Sequence, residues 1–254
     1  MRRDDQRGAG RMKRRWVKAA RIFKNEGAAG ILRRVWRRAA DAAAGPARRR
    51  WLKLRTPTEE DLAAMRRAFA AGADQPRIAV IMPVFNPDPL HLRAAIDSVR
   101  GQAYGNWELC VADDASSDPR IRPLIEEYQR QDSRIKVVFR PENGHIARAS
   151  NSALELATGE FIALLDHDDA LAPQALFQVA AALRRDRQVD FLYSNEDKLD
   201  ARGRRMEPSL KCAWSPEFLL SRMYTGHLAV LRRALVQELG GFRTGFEGSQ
   251  DYDL

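Results

Sequence analysis

From Arg77 onward the chain repeats one unit: a short apolar run, a polar turn, and a longer stretch whose apolar residues recur at helical spacing. Apolar runs without polar alternation suit strands covered on both faces, and strands that alternate with helices cross over into a parallel arrangement. The pattern predicts strands over 78–84, 108–112, 135–139, 161–165 and 191–194, and helices over 90–100, 121–131, 146–157 and 173–185. The fold class is therefore α/β, a mostly parallel, Rossmann-like sheet flanked by helices. After Asp200 the regularity weakens. Arg202-Gly203 predicts a hairpin turn, Ser215-Pro216-Glu217 opens a short helix, and 228–231 reads as one more strand.

Ahead of this body lies a different kind of sequence. Thr56-Pro57-Thr58-Glu59-Glu60 is a helix start with acidic first-turn residues, its helix should end near Gly72, and Gln75-Pro76 opens the main domain. The expected division is 1–75, a basic helical N-terminal extension, and 76–254, the main α/β domain. Of the 43 basic and 34 acidic residues, 19 and 4 fall between Met1 and Arg55, so the extension is strongly basic while the body is acidic. Trp16, Phe23, Ile31, Trp36 and Trp51 are set among its arginines, which predicts two or three short amphipathic helices broken at Gly27, Gly30 and Gly45-Pro46. Such a segment suits an anionic membrane surface. A helical hairpin packed on the main domain or on a preceding partner is a nearly equal reading.

Other classes are excluded early. With 44% hydrophobic and 30% charged residues in 254, the chain can bury a sizeable core, so wholesale disorder is ruled out. No stretch reaches the roughly 18 apolar residues of a spanning helix, and Cys110 and Cys212 make neither a disulfide framework nor a zinc spacing. A cytoplasmic protein is expected, peripheral on the inner face of the membrane if the basic segment engages it. The acidic body and the lack of a recognisable nucleic-acid module argue against a nucleic-acid partner despite the arginines.

In open α/β sheets ligands gather beyond the carboxyl ends of the strands. Those ends are strongly polar here: Pro83-Val84-Phe85-Asn86, Asp113-Asp114-Ala115-Ser116, Asp166-His167-Asp168-Asp169 and Asn195-Glu196-Asp197-Lys198. Aspartates after strands are commonly turn formers and helix caps, and Asp118 and Asp200 are read that way. Three carboxylates within Asp166–Asp169, following a fully apolar run, exceed what one cap needs. Crowded carboxylates repel unless a cation neutralises them. Mg²⁺ or Mn²⁺, which takes oxygen ligands from carboxylates and substrate phosphates, is the economical answer. A receiver-like phosphoacceptor domain also gathers aspartates around Mg²⁺, but it explains neither the 166–169 run nor the polar motifs near the end.

Ile81-Met82-Pro83-Val84-Phe85-Asn86, Val111-Ala112-Asp113-Asp114-Ala115-Ser116, Ala157-Thr158-Gly159-Glu160-Phe161 with Leu165-Asp166-His167-Asp168-Asp169, Gly240-Gly241-Phe242, and Gln250-Asp251-Tyr252-Asp253-Leu254 stand in the order of the motifs of family 2 glycosyltransferases of the GT-A fold. The chain resembles that family from Arg77 to Leu254. With Glu142-Asn143-Gly144-His145, Tyr193 to Lys198 and Trp214-Ser215-Pro216, it is similar to the bacterial branch that assembles surface polysaccharide and O-antigen. The resemblance implies an inverting, metal-dependent transferase that moves a sugar from a nucleoside-diphosphate donor to a saccharide or lipid-linked glycan acceptor. It implies that Pro83 and Asn86 lie beside the nucleotide, that Asp114 accepts a hydrogen bond from the base, that Asp166 faces the ribose side, that Asp168 binds the metal, and that Asp251 is the general base.

Further candidates come from the residues themselves. Arg148, on the helix after the third strand, is a candidate for the nucleotide phosphates, and Glu196 and Asp197 for a sugar or acceptor pocket or, equally, a hairpin turn. His167 reads as a spacer, while His145 and His227 are left open. The chain stops three residues after Asp251, which raises the expectation of a truncated product or fragment in which Asp251 lacks support and transfer is impaired.

Overall fold

The computed structural model describes residues 45–47, 50–70, 75–200 and 203–254, and the chain divides into two compact units, Met1–Thr56 and Pro57–Leu254. In the first, the backbone is helical at 45–47 and 50–54. Gly45 and Pro46 are thus helical where the sequence predicts a break, which proline's fixed φ permits wherever its missing N–H costs no bond. The Arg55 guanidinium lies 5.8 Å from the Trp51 ring centroid. The helices and breaks predicted before residue 45 lie outside the described residues. Among the described residues no helix is long and apolar enough to cross a membrane.

The second unit opens with α1, Glu59–Ala70. Its start is a reciprocal cap: the Asp61 N–H donates to Thr58 Oγ1 at 3.1 Å, and the Thr58 N–H donates to Asp61 Oδ2 at 2.8 Å. The sequence puts the domain boundary at 75/76, but the compact unit begins at Pro57. The reason is Phe69, buried edge-on against Tyr104 at 4.9 Å and Phe177 at 5.1 Å. That aromatic cluster makes α1 part of the core.

The strands are β1 (Ile78–Val84), β2 (Trp107–Asp113), β3 (Ile135–Phe139), β4 (Phe161–Leu164), β5 (Phe191–Tyr193), β6 (Glu196–Leu199), β7 (Arg205–Ser209) and β8 (Ala229–Arg232). The longer helices are α2 (Pro89–Arg100), α3 (Ile121–Gln131), α4 (His145–Leu156) and α5 (Ala175–Arg185), followed by the short α6 (Pro216–Ser221), α7 (Arg233–Glu238) and α8 (Gln250–Asp253). Six strands form one sheet in the order β3-β2-β1-β4-β8-β5, and β6 and β7 form a separate ribbon. β1 to β4 run parallel, whereas β8 runs antiparallel between β4 and β5. The turn between β6 and β7 includes Gly203, at φ +70°.

Alternate residues of each central strand enter two different cores, which is why the runs are continuously apolar. Ile78, Val80, Met82 and Val84 face Leu92 and Ile96 of α2, Ile125 of α3 and Leu176 of α5. Ala79 and Ile81 face Ala149 and Ala153 of α4 and Val236 of α7. Each such fully buried Ile, Leu or Val contributes about 1.5–3 kcal/mol. Cys110 sits in the second core, where burial pushes its thiol pKa up to about 12.

At the amino-terminal edge of the sheet one carboxylate is completely enclosed. Glu108 accepts from the Thr158 N–H at 2.6 Å and the Gly159 N–H at 2.7 Å, with the Lys136 ammonium at 2.7 Å and Arg77 at 3.4 Å. Burial by itself would raise its pKa, but Lys136 and the N–H donors outweigh that and hold it below the usual glutamate value. Gly159 is required there because a Cβ would stand 2.7 Å from the Arg77 carbonyl oxygen. This network fixes β4 against β1 and β2.

Candidate active site

The opposite edge carries the polar motifs. Asn86, at φ +46°, follows β1; Ala115, at φ +58°, follows β2; His145, at φ +62°, opens α4. Non-glycine residues in this region cost about 1–3 kcal/mol each and persist where the surroundings hold them. Asn86 is held by both ends: its N–H donates to Ser116 Oγ at 2.9 Å, and its Oδ1 accepts from the Ser117 N–H at 2.8 Å and the Asp118 N–H at 3.1 Å. The loops after β1 and β2 are thereby joined.

Asp114 is buried, its side chain 2% exposed. It accepts from Arg140 Nε at 2.7 Å and from the Gly144 N–H at 2.9 and 3.1 Å. The carboxylate that the resemblance assigns to the donor base is committed in this structure to the loop before α4. Its neighbour Asp113 is also buried, and its Oδ1 has no hydrogen-bond partner among the described residues. Arg148 is exposed on α4, with its aliphatic stem against Gly144.

After β4, a tight turn closed by the Asp169 N–H on the Asp166 carbonyl at 3.2 Å brings Asp169 back beside Asp166. His227 arrives from the other chain direction. β4 and β8 pair as Phe161↔Arg232, Ile162↔Leu231 and Ala163↔Val230, and extending that register past the strand ends sets Asp166 opposite His227. His227 Nε2 stands 3.8 Å from Asp166 Oδ2 and 3.7 Å from Asp169 Oδ2, and one ligand atom from each of the three lies within 4.8 Å of the others. Asp168 is exposed and outside this grouping. His167, read as a spacer, has Nδ1 at 3.3 Å from the Pro83 carbonyl oxygen.

The chemistry of these donors, two carboxylate oxygens and an imidazole nitrogen, fits a divalent cation. Desolvation raises the pKa of Asp166; His227 pulls it down, and the carboxylates of Asp169 and Asp168 push it further up. Asp169 is raised in the same way, by desolvation first and by Asp168 and Glu196 besides. Among the described residues no hydrogen bond reaches the side-chain oxygens of Asp166, Asp168 or Asp169, unlike those of Glu108 and Asp114.

A cleft of about 310 Å³ runs along this edge, lined by Pro83, Asp166, His227, Phe242 and Asp251 among others. Asp251 and Asp166 thus face one space although they are far apart in sequence. The segment carrying Asp251 is clamped by Asn151 of α4, which donates to the Phe242 carbonyl at 2.8 Å and accepts from the Phe242 N–H at 2.8 Å. Gly241, at φ +77°, is obligatory, since a Cβ would stand 2.5 Å from Asn151 Oδ1. Arg243 pairs with Asp253 through Nε at 2.7 Å, and the Tyr252 hydroxyl donates to the Leu219 carbonyl. The expectation that Asp251 lacks support is corrected by these ties, which the sequence motif does not reveal.

Of the hairpin pair, Glu196 lines a second cavity of about 330 Å³ with Lys211, Phe218, Arg222 and Tyr224. Asp197 lines neither cavity; Arg205 Nε donates to it at 2.7 Å across the ribbon. Asn151, Lys211 and the pairing of Asp169 with His227 were not singled out from sequence. The available signal was Gly226-His227 directly ahead of an apolar run.

The four parallel strands, the polar carboxyl edge and the antiparallel β8 define a GT-A glycosyltransferase fold. The family model described as glycosyl transferase family 2 matches residues 79–240, and the chain belongs to that family. It is similar to the uncharacterized protein y4gI of Sinorhizobium fredii, 46% identical over 81% of this chain and 22% of the relative. It is also similar to the O-antigen biosynthesis protein RfbC of Myxococcus xanthus, 36% identical over 80% of this chain and 16% of the relative. The chain therefore spans about one fifth of the length of these relatives. Among solved structures, the mannosyltransferase PcManGT of Pyrobaculum calidifontis, in complex with GDP-Man and Mn²⁺, shares the fold with a TM-score of 0.52, at 22% identity over 72% of this chain and 54% of that one.

Proposed function

We propose that the chain is an inverting, metal-dependent glycosyltransferase that moves a sugar from a nucleoside-diphosphate donor to a saccharide or lipid-linked glycan in cell-surface polysaccharide assembly. The observation that carries this reading is the shared cleft of Asp166 and Asp251 at the carboxyl edge. Pro83 and Asn86 border the nucleotide, Asp114 sets the loop beneath its base by holding Gly144, and Arg148 is close enough to that loop to meet phosphate. Asp166 faces the ribose and diphosphate. Asp168, at the exposed rim of the same run and outside the grouping of Asp166, Asp169 and His227, would serve the metal through its charge on that cluster.

A bound divalent cation would supply neutralisation of the departing diphosphate. Asp251 accepts the proton of the acceptor hydroxyl as its oxygen bonds to the anomeric carbon. The bond from that carbon to the diphosphate oxygen breaks on the opposite face, its electron pair leaving with the nucleoside diphosphate. Configuration inverts, and no enzyme nucleophile is needed. Glu196 borders the adjoining cavity, where an acceptor sugar fits. The basic segment before Thr56 would hold the enzyme at an anionic cytoplasmic membrane face, checked by vesicle co-sedimentation with and without that segment.

Thermal shift with UDP, GDP, dTDP and CDP, each with and without Mn²⁺, tests the donor reading. One diphosphate should stabilise the protein, and more strongly with Mn²⁺, as mass action requires of a ligand bound only by the folded state. If none of the four shifts the melting temperature, the reading is wrong.

A further inference from the structure

We propose that His227 is a nitrogen ligand of the divalent cation, completing a set with Asp166 and Asp169, and that Lys211 is the positioning residue that sets His227 there. The inference rests on the transferase reading and adds to it a ligand from outside the aspartate run. Two ligands each about 2.1 Å from one ion stand roughly 3 to 4 Å apart. The 3.8 and 3.7 Å separations from His227 Nε2 to the two carboxylates have that size, and are too long for hydrogen bonds. The register of β4 with β8 produces the approach, so it belongs to the sheet and not to a wandering loop.

The loop carrying His227 is fixed from behind. Lys211, its side chain 4% exposed, places its ammonium 3.1 Å from Glu196 Oε2. The same ammonium donates to the His227 carbonyl at 2.6 Å and to the Thr225 carbonyl. Glu196 Oε2 in turn accepts from the His227 N–H at 3.1 Å. Main chain on both sides of Gly226 is therefore gripped by one ion pair, whose lysine is buried and whose glutamate is exposed. Gly226 leaves room for it: at φ +41° a Cβ would stand 3.1 Å from Glu196 Oε2 and 3.5 Å from Lys211 Nζ. Partners that hydrogen-bond a metal ligand's side chain typically govern affinity by about 10- to 100-fold, and Lys211 acts one step behind them, through the main chain of His227.

The test uses the 254-residue chain and Mn²⁺ alone. Mn²⁺ affinity is measured by titration calorimetry, and electron spin-echo envelope modulation reports whether a nitrogen is bound to the ion. The wild-type protein should show nitrogen modulation. His227→Gln should abolish it and weaken Mn²⁺ binding, and Asp169→Asn should weaken binding with the nitrogen signal retained in whatever ion binds. Lys211→Met should lower affinity about tenfold with reduced nitrogen modulation. Gly226→Ala, which displaces the same loop without removing a charge, should act in the same direction if the Lys211 variant fails to fold. Mn²⁺ bound without nitrogen modulation, or no Mn²⁺ binding at millimolar concentration, overturns the ligand assignment. Wild-type affinity and modulation in a folded Lys211→Met overturns the positioning role. Binding of nucleoside diphosphate without metal is measured alongside, so failure of the transferase reading is seen separately.

Discussion

The two edges of the sheet treat carboxylates in opposite ways. At the amino edge Glu108 is enclosed and answered by Lys136, Arg77 and two backbone N–H groups. At the carboxyl edge Asp166, Asp168 and Asp169 crowd together with the imidazoles of His227 and His167 near, and desolvation and mutual repulsion raise the pKa of Asp166 and Asp169. The first arrangement is complete without a ligand and serves the fold. The second costs stability as it stands and is relieved by a cation, which is how binding sites are recognised electrostatically. Asp114 is instructive because it lies at the carboxyl edge yet is satisfied like Glu108, by Arg140 and Gly144.

The largest expected effect is on catalysis. Asp251→Asn should lower kcat by about 10²- to 10⁴-fold, the usual contribution of a general base, while denaturant unfolding and diphosphate affinity stay unchanged. A loss of stability of the Glu108 kind would instead place Asp251 among the structural carboxylates.

Glu108→Ala should destabilise the protein by about 2–5 kcal/mol in urea unfolding, since it leaves the Thr158 and Gly159 N–H groups without their acceptor, at about 1–3 kcal/mol each. The sign with pH follows from the lowered glutamate pKa: its contribution is present above the unfolded value of about 4.3 and is lost as pH falls through the lower folded value. The gap between wild type and variant should therefore narrow in acid. A gap independent of pH would mean that Glu108 acts by packing alone.

Asp114→Asn should cost less, about 1–3 kcal/mol, because the amide keeps an acceptor for Gly144 but weakens the bond to Arg140. If unfolding is unaffected and only nucleotide affinity falls, Asp114 belongs with the ligand-facing group. The smallest change in stability is expected for Asp168→Ala, within about 0.5 kcal/mol of wild type, with Mn²⁺-dependent gain in diphosphate affinity reduced. A clear loss of folding free energy there would break the contrast between the edges.

Much of this architecture could be read from the chain itself. Strands buried on both faces must be continuously apolar, so Ile78 to Val84 and Phe161 to Leu164 announce themselves, and their polar successors mark the ligand edge. The motif order from Pro83 to Asp251 gave the family and singled out the two aspartates that share the cleft. Locally determined features such as the cap at Thr58 and the turn glycines belong to the same class, because only near neighbours decide them.

What only the tertiary structure decided is which side chains meet. β8 runs antiparallel, so its beginning, and not its end, lies at the carboxyl edge, and a search of strand ends passes over His227. The return of Asp169 beside Asp166, the commitment of Asp114 to Arg140 and Gly144, the clamp of Asn151 on Phe242 and the grip of Lys211 on the His227 loop are all long-range or turn-dependent. Apolar periodicity reports the face a residue turns to the core, a property of its own strand or helix. Hydrogen-bond partners and metal ligands are fixed by the relative register of different strands, which local sequence does not encode.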